Sequence, residues 1–480
     1  MKPFMTIKEL LYGLETKQFS AEEITKFYQD RIEKYNPTLN AFLEQFETET
    51  IKTELYGSGL LAGIPGALKN NISIENRTIT CGSKILQHYK APYSATVTDR
   101  LRQEGSIILG TTNMDEFAMG ASGEFSAYGA IKNPWDTERT PGGSSSGSAA
   151  AVAAGLVPWA LGTETGGSIR QPASFCGLVG LYPTYGLFSR YGLVAFASST
   201  DQPAPLTKTV YDNALIASAL SGHDPKDSSS LPEPARDFTK NLDGKLPKNL
   251  TIGVIKNSLK SDGVDNQVKI AFERAIKHLE HLGATVKTVE LPDMRYGIQV
   301  YFILAYAEAA SNLSRFDGTL YGTRAQGTEG LLDMYIQTRH DGFGSEVKRR
   351  ILMGNYVLSS SHKEAYYKKA SHIRSAIRAA FDNAFEHVDL LLSPTVATPP
   401  FKLGELCDDP IAMYLSDYFT VPNCITGMPA LSLPCGYTKE KLPIGFQFIG
   451  PRLSEEKIYR AAYAYEQSTD FHLKNPRGYE

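Results

Sequence analysis

The stretch 139–170, RTPGGSSSGSAAAVAAGLVPWALGTETGGSIR, constrains the fold of this chain more than any other. Two glycine-serine turns, Gly142-Gly143-Ser144 and Gly166-Gly167-Ser168, flank an alanine-rich run and a short apolar segment. Side chains this small over 148–155 predict a helix that packs very closely, and 156–161 reads as a short buried strand. A helix followed by a strand returns the second turn toward the first. Glycine permits positive φ and close backbone approach, so each turn can present its hydroxyl beside bare backbone N–H groups. Acyl transfer needs that pairing of an exposed nucleophile with donors that stabilise an oxyanion.

Three other readings compete for these residues. A flexible glycine-serine linker does not carry Ala-Ala-Ala-Val-Ala-Ala and an apolar strand between its glycines. A phosphate-cradling loop would end in Gly-Lys-Ser/Thr, which is missing. Gly143-Ser144-Ser145-Ser146-Gly147 fits the G-x-S-x-G nucleophile elbow, but an elbow follows a buried strand and 133–141, NPWDTERTP, is a polar loop.

Upstream, Lys69 stands among Ile64, Leu68 and Ile72 in a strand-like stretch, 60–74. Alone it reads as an exposed strand residue whose stem snorkels. In company with two glycine-serine turns it reads as a desolvated lysine whose pKa falls so that it can act as a base. Ser168 is the expected nucleophile, and Thr165, Gly166 and Gly167 just before it are the expected N–H donors of an oxyanion hole. Ser144 is expected to relay the proton between Ser168 and Lys69. Cys176, a rival nucleophile, sits in Ser174-Phe175-Cys176-Gly177 and reads as core packing.

Three spaced motifs together resemble the amidase signature family: Gly63-Ile64-Pro65-Gly66-Ala67-Leu68-Lys69, Gly142-Gly143-Ser144-Ser145, and Glu164-Thr165-Gly166-Gly167-Ser168-Ile169-Arg170. Within that family, 111–120 (TTNMDEFAMG), 133–136 (NPWD), 191–199 (YGLVAFASS), 311–313 (SNL) and 315–318 (RFDG) resemble the subfamily of glutamyl-tRNA(Gln) amidotransferase A subunits. The resemblance supports Lys69, Ser144 and Ser168 as the reacting residues and implies a cis peptide bond before Ser144. It implies L-glutamine as substrate, with Arg350 pairing the carboxylate, Asp417 holding the ammonium and Tyr301 lining the pocket. Read by itself, Arg350 beside Lys348 and Arg349 is as readily a solvated helix residue. No cofactor is implied in this chain. ATP and Mg2+ would bind a partner, a tRNA-binding kinase and transferase, in a heterotrimer completed by a small clasping subunit, with tRNA reached only through the partner. The family pattern usually has aspartate after the lysine and glycine at position 146, whereas Asn70 and Ser146 stand here. A stand-alone amidase for another small amide is the alternative, and a catalytically dead scaffold is disfavoured by the intact reacting residues.

The chain has 480 residues and a net charge of −3, with no basic tract, so direct nucleic-acid binding is not expected. Its five cysteines are scattered without a C-x-x-C and predict reduced thiols in a cytoplasmic protein, with no metal site. No signal-like or membrane-length apolar block is seen. Helices are expected over 6–36, ending at Asn36-Pro37, over 264–282, through 294–387 and over 454–468. Strands are expected at 41–46, 106–110, 250–255, 285–291, 388–392, 431–434 and 444–449. The alternation predicts an α/β fold, and the resemblance implies one α/β/α sandwich around a central mixed sheet spanning 1–480, with N-terminal helices in 1–58 packing on it and 222–249 as a surface loop.

Overall fold

The computed structural model describes residues 1–47, 58–256, 263–291, 294 and 296–480. Part of the N-terminal segment 1–58 therefore lies outside the described residues. The strands are β1 (Phe42–Gln45), β2 (Pro65–Lys69), β3 (Ile107–Thr112), β4 (Trp159–Glu164), β5 (Val179–Tyr182), β6 (Gln202–Thr207), β7 (Thr251–Ile255), β8 (Thr285–Val289), β9 (Leu390–Pro394), β10 (Ala430–Tyr437) and β11 (Pro443–Ile449). They form one sheet in the order β1-β3-β2-β4-β6-β5-β10-β11-β9-β7-β8. Parallel pairs at β3-β2-β4 and at β9-β7-β8 are joined by antiparallel strands, which makes the sheet mixed. Helices cover both faces, so the fold is an α/β/α sandwich.

The helices Ile7–Glu15 and Ala21–Leu39 both open on capping boxes, at Thr6 with Glu9 and at Ser20 with Glu23. The second runs past the expected stop at Pro37 and ends at Asn40, which is left-handed and donates to Asn36 O. Pro37 lies in the last turn, where only one N–H is forgone. Asn36 meanwhile accepts from Phe42 N at 2.7 Å and donates to Phe42 O at 3.1 Å, tying the helix end to β1.

The alanine-rich run forms the helix Ser146–Ala153, every residue of which is buried. Small side chains let it lie against β2, β3, β4 and β6 and against the helix Arg170–Cys176. The following strand begins at Trp159, three residues later than expected. Leu156 N instead bonds Ala151 O, wrapping the helix end, so β4 reaches Glu164. Of the strand-like stretch 60–74 only Pro65–Lys69 forms a strand, because Ile72 N turns back onto Lys69 O, leaving Ile72 in an isolated bridge to Leu193. Lys69 and Glu164 are thus the last residues of two adjacent parallel strands, β2 and β4.

Two central strands, β5 and β6, and the helix Val210–Leu220 do not follow from the sequence pattern. The sequence of β6, QPAPLT, argues against a central strand because proline cannot donate to a ladder. A side chain joins the two strands: Asn213 Nδ2 donates to Pro205 O of β6 at 3.1 Å and to Val179 O of β5 at 3.2 Å. Residues 222–249 have no helix or strand and are anchored by buried Phe238, whose ring packs on Tyr459. No helix among the described residues is long and apolar enough to cross a membrane.

Candidate active site

Lys69 ends β2 with no exposed surface. Its Nζ lies 2.7 Å from Ser144 Oγ, 2.9 Å from Ser145 Oγ and 3.2 Å from Thr163 O. Burial pushes its pKa down to about 7, against the opposing charges of Asp115, Asp201, Cys81 and Glu164. Ser144 precedes the helix Ser146–Ala153, and the Gly143–Ser144 peptide bond is cis. No strand precedes this turn, in keeping with the polar loop expected at 133–141.

The second turn joins β4 to the helix Arg170–Cys176 and is strapped at its base by Glu164. That carboxylate accepts the N–H groups of Ile169 and Arg170 at 3.0 Å each and the Arg170 side chain through Nε at 2.8 Å and Nη2 at 2.5 Å. Arg170 reaches on to Asn423, Gln447 and Thr420 O, locking the turn to the segment before β10. The carbonyls of Gly166 and Gly167 are occupied by Thr420 Oγ1 and Gln171 N. The N–H groups of Thr165, Gly166, Gly167 and Ser168 have no acceptor among the described residues. The Thr165 hydroxyl donates to Asp201 Oδ1 at 2.7 Å.

Ser168 is 8% exposed, and its carbonyl accepts Ser145 N at 3.2 Å, so the two turns are stitched together. Its hydroxyl makes no hydrogen bond among the described residues. Cys176, eight residues on, is 1% exposed and contacts Pro141 O; burial pushes its thiol well above the usual range, which disfavours the thiolate.

Tyr301, Arg350 and Asp417 come together beside this turn from three separate elements. Tyr301, on the helix Gly297–Asn312, presses its ring on Gly166, where an added Cβ would stand 2.6 Å from Cζ. At Gly167 an added Cβ would stand 2.5 Å from Asp417 Oδ1, so only glycine fits at either position. Asp417 is half-buried, with its Oδ1 atom buried and unpartnered; desolvation, then the Glu164 charge, raises its pKa to about 8 against Arg350 and Arg170. Arg350 is not a solvated helix residue: it is 5% exposed, while Arg349 beside it is open. Its Nε bonds Glu346 Oε1 at 2.7 Å, and its guanidinium lies 5.4–5.8 Å from the rings of Phe196, Phe302, Tyr306 and Tyr414. Its two Nη groups have no hydrogen-bond partner among the described residues. A buried cation with free donors and a half-buried carboxylate with a free acceptor can together take a zwitterion.

Sequence reasoning missed Ser145, Asp115, Asp201, Glu164 and Glu346 as parts of this constellation. Glu346 stands four residues before Arg350, the spacing of a helical ion pair, which could have found it. Asn70, expected to alter the tuning of Lys69, is turned away from it: Nδ2 donates to Thr78 O and Thr111 Oγ1, and Oδ1 accepts from Thr80 N and Oγ1. Ser146 is buried within the helix that it opens. A cavity of about 660 Å3 lined by Val264, Ala397, Phe401, Leu415 and Phe419 holds none of the groups described above.

Residues 23–459 match the family described as Amidase. Over 480 residues the chain is 50% identical to the A subunit of glutamyl-tRNA(Gln) amidotransferase from Thermosynechococcus vestitus, covering 98% of this chain and 99% of that one. It is 49% identical over 478 residues to the corresponding protein of Caldanaerobacter subterraneus, covering 98% and 97%. The crystal structure of the A subunit of glutamyl-tRNA(Gln) amidotransferase from Thermotoga maritima superposes with a TM-score of 0.83 at 40% identity, covering 97% of this chain and 95% of that one. A 6-aminohexanoate cyclic dimer hydrolase solved with substrate superposes at 0.86 with 26% identity, covering 99% of each. A match across most of the chain, together with the lysine and the two glycine-serine turns brought to one place, makes this chain a member of the amidase signature family.

Proposed function

We propose that this chain is the glutaminase component of a tRNA-dependent amidotransferase, hydrolysing L-glutamine to glutamate and ammonia. The observation that carries the substrate is Asp417 Oδ1, unpartnered against the turn that bears Ser168, with the Arg350 guanidinium, hydrogen-bonded only through Nε among the described residues, acting on it. The substrate carboxylate takes the Arg350 donors, the ammonium takes Asp417, and Tyr301 packs on the aliphatic part. The side-chain amide then lies at Ser168.

Ser168 Oγ attacks the amide carbon while its proton passes to Ser144 and the Ser144 proton to Lys69. The N–H groups of Thr165, Gly166 and Gly167 receive the oxyanion, each such donor contributing about 100- to 1,000-fold in rate. The Lys69 ammonium returns its proton through Ser144 to the leaving nitrogen, and ammonia departs. A γ-glutamyl ester on Ser168 remains, which water hydrolyses with the same base. In this reading ammonia is handed to a tRNA-binding partner, where ATP and Mg2+ activate glutamate (or aspartate) on a mischarged tRNA, and a small third protein clasps the pair in the cytoplasm. The lack of a phosphate loop or basic tract in this chain supports placing ATP and tRNA on the partner.

The test is ammonia release from L-glutamine by protein purified gently from its own host with co-purifying proteins retained, with Ser168→Ala alongside. The expected result is release that falls about a thousandfold or more in the variant and weakens when the partners are stripped away. No release from glutamine, with turnover of another amide, would move the assignment to a stand-alone amidase.

A further inference from the structure

The carboxylate that the family usually sets at position 70 is replaced here by an asparagine facing away from Lys69, yet a buried carboxylate reaches the site by another route. Asp115 follows β3, the parallel neighbour of β2, and has no exposed surface. Its Oδ2 accepts Gly123 N at 3.0 Å and its Oδ1 accepts Phe125 N at 3.1 Å. Those two bonds hold it as an acceptor, the arrangement of an ionised carboxylate. It lies against Gly143, where an added Cβ would stand 2.1 Å from Oδ2, and its own N–H donates to Ser144 O at 3.3 Å. Ser144 in turn is 2.7 Å from Lys69 Nζ. No ion pair joins Asp115 to a cation among the described residues, so its charge is not neutralised elsewhere.

We propose that Asp115 is the electrostatic partner of Lys69, a positioning residue that supplies from the end of β3 the negative charge that balances the Lys69 ammonium formed as Ser168 attacks. The proposal rests on the Ser168-Ser144-Lys69 reading. The other groups that act on Lys69 are Asp201, Cys81 and Glu164, and Glu164 is already neutralised by Arg170. Asp201 is engaged by Thr165 and the N–H groups of Phe196 and Ala197. Asp115 is the largest of the charge contributions on Lys69, and the acids Glu124 and Asp417 also act with Asp115. Burial raises Asp115 to about 6, the two backbone N–H groups opposing, so it is ionised where Lys69 becomes neutral.

The experiment is the pH dependence of kcat at saturating L-glutamine, where the substrate ammonium already pairs Asp417, for ammonia release by the intact complex, comparing the unsubstituted chain with Asp115→Asn and following the melting of both. Asp115→Asn is expected to lower the plateau about 10- to 100-fold and to move the acid limb to lower pH by about one unit, because the lysine loses the charge that favours its protonated form. A purely structural role would lower the plateau and leave the limb in place, which would overturn the proposal. If Asp115→Asn does not fold, the unsubstituted profile decides. Two protons must then be lost for activity, so the acid limb steepens to a slope of two below about pH 6, and a slope of one throughout would overturn it. If the unsubstituted complex shows no Ser168-dependent release from glutamine, the glutaminase reading itself has failed, an outcome distinct from an unchanged limb in an active enzyme.

Discussion

A neutral lysine amine has two N–H donors and one lone pair, and the three oxygens around Lys69 sort themselves against that count. Thr163 O can only accept. The Ser145 hydroxyl gives its own hydrogen to Thr163 O at 3.0 Å, so toward Lys69 it too can only accept. The two N–H groups are thereby assigned, and the lone pair is left for Ser144, the one neighbour with a hydrogen to give. Ser145 therefore aims the base. Ser145→Ala is expected to free the amine to rotate, lowering kcat about 10- to 100-fold while KM for glutamine stays within about twofold. It also strips an acceptor from Thr163 N, costing about 1 kcal/mol of stability in denaturant titrations. An unchanged kcat would show that Ser144 alone orients the lysine.

At the scale of elements, the Gly166-Gly167-Ser168 turn carries no side chain larger than serine and depends on the buried Glu164–Arg170 pair at its base. Glu164→Gln leaves the Arg170 cation buried without its counter-charge, and the new amide turns donors toward groups that are themselves donors. The expected loss is about 3 to 5 kcal/mol in urea unfolding, with a fall in kcat as the oxyanion donors lose their base. A variant as stable as the parent would mean that Asn423 and Gln447 suffice to hold Arg170. The same element shows what the sequence could convey. Glycine and serine spacing announced both turns, and the small side chains of 148–155 announced the helix between them, because close approach excludes anything larger. Glu164 was visible as a motif residue, but its grip on two backbone N–H groups depends on where β4 starts, and helix wrapping at Leu156 displaced that start. β6 was illegible for a related reason: its prolines argue against a strand, and the donor that reaches Pro205 O is the side chain of Asn213, on the helix after it. Arg350 was ambiguous until the aromatic residues from three distant segments were folded around it.

Taken over the whole molecule, acids are buried with fewer counter-charges than they need, and that sets a pH dependence of stability. Burial, the largest cause in each case, raises Asp115, Asp201 and Asp212 to about 6, Glu116 to about 7, and Asp417 and Glu466 to about 8. Unfolded carboxylates titrate at about 4, so between pH 4 and 8 the folded chain holds more protons than the unfolded one. Stability is then greatest at the acid end of that window and declines as pH rises through the folded values. Two buried lysines act in the opposite sense: Lys69 and Lys208 are both lowered to about 7 by burial, so the unfolded chain holds more protons than the folded one from about 7 upward. The decline is therefore steepest between about pH 5 and 7 and flattens toward 8, where the two sets oppose. Calorimetry at constant ionic strength is expected to give a Tm several degrees higher near pH 5.5 than near pH 7.5. A Tm that climbs over that interval would mean that the buried acids stay ionised in the folded chain, and that bound partners or ions supply the missing counter-charge. The proposed chemistry needs an ionised Asp417 and a neutral Lys69, both favoured by higher pH, so this enzyme is expected to work where its fold has given up part of its stability.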